Sequence, residues 1–286
     1  MGSTELLELH YIIVGTLPEK ERRVLLENLK VSKRQVFVSG EDSEALLTRV
    51  PAAESLLLSA SDDELAEVIG LGMATVGYLL PDKESSDSVR PDLYAESFAE
   101  VDDELLVRVY QRHHGIPWTI LATERCVVRE FSMDYLDALF ALYAGEGMTD
   151  YIEPLYPYEE ERRYQEAYIE HMYGFYGYGM WIVCEKETGE LIGRVGIECR
   201  EELGGELELG YAIGVPYQRK GYATEVCQAV MCYAHEEIGA SRLCCLIEQG
   251  NAVSEHFARK LGFSYVEDMR ISGKIMKKYE LHFDRK

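Results

Sequence analysis

The stretch Gly214-Val215-Pro216-Tyr217-Gln218-Arg219-Lys220-Gly221-Tyr222-Ala223-Thr224 decides how this chain is read. Just before it, Glu206-Leu207-Glu208-Leu209-Gly210-Tyr211-Ala212-Ile213 alternates charge and hydrophobe, the pattern of a strand with one solvated face. Just after it, Ala223, Val226, Cys227, Val230 and Ala234 recur at helical spacing from a start near Tyr222. A glycine-containing turn that runs directly into a helix aims unpaired N–H groups at one point, and the helix dipole adds positive potential there. The segment therefore reads as an anion site. Gly221 and Ala223 leave room for a diphosphate to approach those N–H groups, and Arg219 and Lys220 add formal charge beside it. Neither of two common phosphate-binding patterns fits. The lysine precedes the glycine instead of following it, and G-x-G-x-x-G is absent.

A further strand, Arg242 to Glu248, leads to Asn251-Ala252-Val253-Ser254-Glu255-His256-Phe257-Ala258-Arg259-Lys260-Leu261-Gly262-Phe263. The hexapeptide Gln218-Arg219-Lys220-Gly221-Tyr222-Ala223 resembles the Q/R-x-x-G-x-G/A loop of the GNAT N-acetyltransferase superfamily. The segment from Asn251 resembles that superfamily's N-x-x-S/A…G-F closing helix. The resemblance covers about residues 123–286 and includes the order of elements. Pro216-Tyr217-Gln218 and the Ser254/Ala258 pair are most similar to the branch of ribosomal-protein alanine N-acetyltransferases.

The resemblance implies an α/β (α+β) fold with a mixed, splayed central sheet flanked by helices, and acetyl-CoA as co-substrate. The backbone of Ile213-Gly214-Val215 would meet the pantetheine arm, and Gln218, Arg219, Lys220, Gly221, Tyr222, Ala223 and Thr224 would hold the pyrophosphate. Asn251 would touch the pantetheine or a site water, and Arg259 is a candidate for the CoA phosphates. The implied partner is an amine acceptor, a protein N-terminus or a small cationic amine, and a homo-oligomer is compatible with this reading.

An amine with a pKa of about 10 is protonated near neutral pH and must lose a proton before it attacks a thioester. Glu208, on the strand before the loop, is the first candidate for the base, with Glu206 on the same face behind it. Both are equally readable as side chains that keep an exposed face soluble. The superfamily's usual tyrosine acid, seven residues after the asparagine, is replaced by Ala258, which leaves Ser254 as the candidate donor to the departing thiolate. Ser254 also reads as a plain helix-start hydroxyl. No histidine neighbours a cysteine in an activating pattern, so direct transfer is expected over an acyl-enzyme.

Upstream, eight tyrosines and a tryptophan crowd the segment Tyr151–Trp181, readable as an acceptor-pocket wall or as helix packing. The first part of the chain alternates apolar runs with helical patterns: strands at Tyr11–Val14, Gln35–Val38 (closed by Ser39-Gly40), Ser55–Ser59 and Met73–Gly77. Helices are expected at Glu19–Asn28 and Asp102–His113, with a third after a capping box of Ser61 and Glu64. Pro81–Asp92 reads as a surface loop, and the domain boundary is expected near residue 122, dividing the chain into 1–122 and 123–286. The first domain reads as a small Rossmann-like parallel α/β unit. Leu58-Ser59-Ala60-Ser61-Asp62-Asp63 and Leu71 through Tyr78 resemble, loosely, a reduced haloacid-dehalogenase-like domain. That family's D-x-D nucleophile is missing from Tyr11-Ile12-Ile13-Val14-Gly15-Thr16, which argues against phosphatase chemistry.

Composition sets the outer bounds. The chain has 286 residues, 29 Lys+Arg against 51 Asp+Glu, and a net charge of −22 shared evenly between its halves. Such a field repels nucleic acid and attracts cations. No apolar run approaches membrane-spanning length, and Met1-Gly2-Ser3-Thr4-Glu5 lacks the order of a signal peptide, so a cytoplasmic protein is expected. The seven cysteines, odd in number and without C-x-x-C, read as buried hydrophobes of a reducing compartment, and no metal cluster is expected. An acyl-CoA-binding sensor and a phosphohydrolase centred on residues 1–117 are the other classes open to this sequence.

Overall fold

Two hydrophobic programmes run one after the other along this chain, and each closes on its own sheet. A computed structural model describes residues 7–38, 49–80 and 89–283. It divides into two units, Met1–Trp118 and Thr119–Lys286. The expected boundary near 122 moves because Thr119–Ala122 is a strand paired antiparallel with Cys126–Arg129, which ties it to the second unit. Met1–Glu5, the Ser39-Gly40 turn and the Pro81–Ser88 part of the expected loop lie outside the described residues.

In the first unit, β1 (Tyr11–Val14), β2 (Gln35–Val38), β3 (Ser55–Ser59), β4 (Ala74–Tyr78) and β5 (Leu93–Ala95) form a parallel sheet in the order β2-β1-β3-β4-β5. The continuous apolar runs are explained by burial on both faces. Ile12, Val14, Leu56 and Leu58 meet Leu25 of α1 (Glu19–Asn28), while Ile13 and Leu57 pack with Leu65 and Val68 of α2 (Asp62–Gly70). Leu106 and Val109 of α3 (Asp103–His113) cover the first of these faces. Strand β5 was not expected; its three residues are too few to show a period.

The capping box forms by half. Ser61 accepts from the Glu64 N–H at 3.4 Å, but the Glu64 carboxylate does not return to Ser61. It crosses to β1 and β3, accepting from the Thr16 N–H (2.9 Å), Thr16 Oγ1 (2.8 Å) and Ser59 Oγ (2.6 Å). Burial pushes this carboxyl's pKa up, yet the bonds from Ser59 and Thr16 prevail and hold it below the ordinary value.

In the second unit, β6 (Thr119–Ala122), β7 (Cys126–Arg129), β8 (Met180–Glu185), β9 (Leu191–Arg200), β10 (Glu206–Ile213), β11 (Arg242–Glu248), β12 (Ser264–Ile271) and β13 (Lys274–His282) make one sheet. Its order is β12-β13-β11-β10-β9-β8-β7-β6, antiparallel throughout except for the parallel β10–β11 neighbours. The helices are α4 (Leu136–Tyr143), α5 (Tyr158–Tyr168), α6 (Tyr222–Glu236) and α7 (Ala252–Lys260), and a π-helical segment, Ile169–Tyr176, continues α5. The helical segment after β7 opens as a 3₁₀ turn, Met133–Tyr135, and becomes α-helical at Leu136. Five of the seven cysteines are buried; Cys199 is half-buried and Cys232, on the outer side of α6, is exposed. Among the described residues no helix is long and apolar enough to cross a membrane.

The first unit also carries a titratable clamp. His113, in the last turn of α3, places Nδ1 2.9 Å from Asp92 Oδ1 and Nε2 3.0 Å from the Gly72 carbonyl. Asp92 in turn accepts from the Thr75 N–H at 2.7 Å. Two acceptors facing one ring favour the imidazolium, and the Asp92 hydrogen bond raises the His113 pKa, while burial and the His113 charge lower that of neighbouring His114. A raised folded-state pKa stabilises the fold fully below the unfolded histidine value of about 6.5, and that stabilisation fades as pH rises through the folded value. Urea midpoints of the wild type and His113→Gln, measured from pH 5.5 to 9, are expected to converge as pH rises. A gap that is constant across this range contradicts the clamp.

Candidate active site

Strand β10 is paired along its whole length on one side and almost nowhere on the other. With β9 the register runs from Glu206↔Arg200 to Ile213↔Gly193. With β11, among the described residues, it holds at Glu208↔Cys244. Past that point the strands separate, and buried backbone groups left at a separation need other partners. Side chains supply them. The Leu246 N–H donates to Glu208 Oε1 at 3.2 Å, and the Cys245 thiol points at the Leu209 carbonyl at 3.6 Å. At the far end Gln218 Nε2 donates to the Ile213 carbonyl at 2.9 Å. The backbone of Ile213, Gly214 and Val215 therefore lies beyond the last β10–β11 pairing, and the Gln218 side chain braces that end.

Glu208 stands where the strands part. It is 7% exposed, ion-paired with Arg200, and opposite Glu198 on β9. Burial raises its pKa, and Arg200 and the Leu246 N–H offset only part of the rise. The expectation of a solvated glutamate face is corrected. Glu206 pairs with Lys278 (2.8 Å) and Arg242 (3.0 Å), Lys278 is itself buried, and Glu198 accepts from Tyr168 Oη at 2.8 Å. Alternation had a charge on every second residue because neighbouring strands carry its counter-charges.

The loop after β10 ends in a left-handed cap: Gly221 has φ +90° and Arg219 φ +59°. The first intrahelical bond of α6 runs from the Glu225 N–H to the Gly221 carbonyl (3.1 Å), so Tyr222, Ala223 and Thr224 have N–H groups without a helical acceptor. A side chain at 221 would have to adopt a conformation that L residues rarely take, with Arg125 Nη2 3.4 Å from its Cβ. Arg125 was not legible in the sequence, since it lies about a hundred residues upstream on the β6–β7 turn. It donates from Nε to Glu225 (2.7 Å) and from Nη1 to the Lys220 carbonyl (3.1 Å), and its guanidinium lies 4.2 Å over the Tyr222 ring. Lys220 sits 5.6 Å over the Tyr217 ring, and Lys260 Nζ is 3.3 Å from Thr224 Oγ1. Arg259 faces elsewhere, donating to Tyr279 Oη (2.9 Å) and pairing with Glu255 (3.5 Å). The neighbouring lysine is thus the α7 cation at the loop; a helix turns by about 100° per residue, which sequence adjacency hides.

Asn251 caps α7, its Oδ1 accepting from the Ser254 N–H at 3.1 Å. The Ser254 hydroxyl accepts from Tyr211 Oη at 3.2 Å, and the Tyr211 ring packs against Phe257 with centroids 4.8 Å apart. Burial pushes the Tyr211 phenol up to about 12. Ala258 is buried under the helix. The tyrosine-rich segment mixes buried and exposed rings. Tyr168 and Tyr173 are buried, Tyr168 accepting from the Met180 N–H (2.7 Å) and Tyr173 donating to the Met180 carbonyl (2.6 Å). Tyr151, Tyr156, Tyr158, Tyr164 and Tyr176 are exposed. Among the described residues no cluster of three or more metal-ligating side chains occurs.

If Glu208 holds the strands apart, its loss is a stability event as well as a chemical one. Glu208→Ala leaves the Leu246 N–H without an acceptor, while the half-exposed Arg200 can turn to water, so destabilisation of about 1–3 kcal/mol is expected. Glu208→Gln keeps an acceptor and should cost less than half of that. Urea unfolding of both variants checks the order; equal losses would remove the role in the cleft.

Comparison with known proteins agrees with this geometry. Residues 125–264 match the family model described as acetyltransferase (GNAT) domain. The chain is 28% identical over 149 residues to the uncharacterized N-acetyltransferase YoaA of Bacillus subtilis (strain 168), covering 50% of this chain and 82% of that protein. It is 33% identical over 106 residues to uncharacterized protein YkkB of the same organism, covering 37% of this chain and 62% of that one. RimL, a ribosomal L7/L12 alpha-N-protein acetyltransferase solved in complex with coenzyme A, shares the fold at TM-score 0.50 and 18% identity, over 58% of this chain and 99% of that one. The Salmonella typhimurium acetyl transferase that modifies the N-terminal serine of ribosomal protein L7/L12 does so at TM-score 0.51 and 18% identity, over 58% of this chain and 100% of that one. The split between β10 and β11 and the capped loop at its end both lie within residues 125–264, the stretch that matches the acetyltransferase (GNAT) domain.

Proposed function

We propose that this protein transfers an acetyl group from acetyl-CoA directly to a primary amine. The observation that carries the reading is the separation of β10 from β11 at Glu208, which leads to the Gly221 helix cap. The pantetheine arm would lie in the separation, with its amides against the backbone of Ile213-Gly214-Val215. The pyrophosphate would sit on the N–H groups of Tyr222, Ala223 and Thr224, beside Arg125, Arg219, Lys220 and Lys260. The Gln218 side chain supports this by shaping the turn, and Asn251 by fixing the start of α7.

Glu208 is the proposed base. Its burial makes it a better proton acceptor than an exposed glutamate, and Arg200 keeps its ionised form available. The acceptor is a cationic amine before it reacts. Glu198 opposite Glu208, the exposed tyrosines of α5 and the chain's net charge of −22 favour such a group. Because RimL-like neighbours act on a protein N-terminus, that class of acceptor comes first, ahead of small polyamines. The competing reading is an acyl-CoA sensor. Ala258 in the place of the usual acid, and the engagement of Glu208 by Arg200, favour it.

For residues 1–118 we propose a scaffolding role. The haloacid-dehalogenase-like resemblance supplies no nucleophile on β1, and the Glu64 carboxylate fills the position beside Gly15, Thr16 and Ser59 at the strand ends where such sheets bind anions.

Calorimetry with CoA and thiol release from acetyl-CoA across a panel of amines and N-terminal peptides test the reading. Binding with turnover on at least one amine is expected, and Gly221→Glu should weaken CoA binding at least about tenfold, or about 1.4 kcal/mol. Undiminished binding in that variant contradicts the site, and binding without any turnover favours the sensor. Glu208→Gln should lower kcat about 10²–10⁴-fold. The wild-type acid limb of kcat/KM should lie above the ordinary carboxylate range, with activity gained as pH rises and Glu208 ionises, and the variant should lack that limb.

A further inference from the structure

The described residues place one hydroxyl pair across the cleft, and no step above uses half of it. Tyr211 stands on β10 three residues beyond Glu208, in the stretch that has left β11. Ser254 stands in the first turn of α7, the helix that follows β11. Their hydrogen bond, Tyr211 Oη donating to Ser254 Oγ at 3.2 Å, therefore joins the two sides of the separation. Phe257, one turn along α7 from Ser254, holds the Tyr211 ring, and the Ser254 N–H is already taken by Asn251. Each partner is fixed by something other than the bond between them.

We infer that Tyr211 is a positioning residue for acetyl transfer, which occupies the Ser254 oxygen as a donor and so leaves the Ser254 hydroxyl proton directed at the departing CoA sulfur. The inference rests on the acetyl-transfer reading. The amine nitrogen forms a bond to the acetyl carbon, the carbon–sulfur bond breaks, and its electron pair goes to sulfur. The Ser254 proton passes to sulfur, and the Tyr211 proton passes to the Ser254 oxygen. Of the two protons the ammonium sheds on becoming an amide, one restores Tyr211 through solvent and one is released. The products are the amide, the free thiol and one proton. A buried phenol that stays protonated at neutral pH suits this use, since it donates before and after each turnover. The hydroxyl that Ala258 cannot provide from the closing helix then enters from the facing strand.

Tyr211→Phe, Ser254→Ala and the double variant test this in the full-length protein, with acetyl-CoA and an amine that the wild type turns over. Tyr211→Phe keeps the ring on Phe257. CoA affinity and KM for acetyl-CoA are expected to stay within about twofold of wild type, while kcat falls about 10–100-fold in each single variant. The double variant should be no slower than the slower single one, because the two hydroxyls act in series. A kcat within twofold of wild type for Tyr211→Phe, or losses that multiply in the double variant, overturns the inference while leaving acetyl transfer intact. A Tyr211→Phe protein with raised KM and lowered unfolding temperature but unchanged kcat also overturns it, since that is the signature of packing alone. A wild type that transfers to no amine overturns the transfer reading and this inference together.

Discussion

The second unit depends on a parallel strand pair that is made at one residue and then given up. Sheets resist this, because each lost pairing strands an N–H or a carbonyl in a buried place. The chain resolves the conflict with side chains: Glu208 receives the Leu246 N–H, Cys245 addresses the Leu209 carbonyl, and Gln218 closes on the Ile213 carbonyl. The parting of the strands is thereby built into the sheet itself. The same glutamate that braces the separation is the proposed base, so in that reading structure and chemistry meet in one carboxylate.

That double duty explains the surroundings of Glu208. A carboxylate this buried would become neutral without compensation, and a fully neutralised pair would be a poor base. Arg200 is two-fifths exposed, so it steadies the charge without removing it from reach of solvent. Around this centre, Glu198 and Tyr168 on one side and Glu206, Lys278 and Arg242 on the other form a polar layer on a sheet whose opposite layer is apolar. The first unit shows a related economy. Glu64, placed by the sequence as a cap residue, serves as an internal ligand that closes the ends of two parallel strands.

Much of this was legible in the residues. Period and punctuation marked Glu206–Ile213, with its alternation, and the start of Tyr222–Glu236, with its apolar face, whereas Ala252–Lys260 was read from the family resemblance. The left-handed cap at Gly221 was legible because a glycine feeding a helix leaves a sequence mark. Long-range partners leave none. Arg125 reaches the loop from a distant turn, Lys260 and not Arg259 lies beside Thr224, and Tyr211 meets Ser254 from the facing strand. The alternating glutamates misled for a physical reason: period two records which face a side chain is on, not whether that face meets water or counter-charge. The strand of three residues at Leu93–Ala95 and the boundary at Trp118 were missed because short edge pairings depend on neighbours far along the chain.

A crystal structure of the protein with CoA bears most directly on the strand separation. The account predicts the pantetheine arm lying between β10 and β11, its diphosphate on the N–H groups of Tyr222, Ala223 and Thr224, and Glu208 facing the thiol end. CoA seated elsewhere, or residues 209–213 paired along β11 with no room between them, would contradict it.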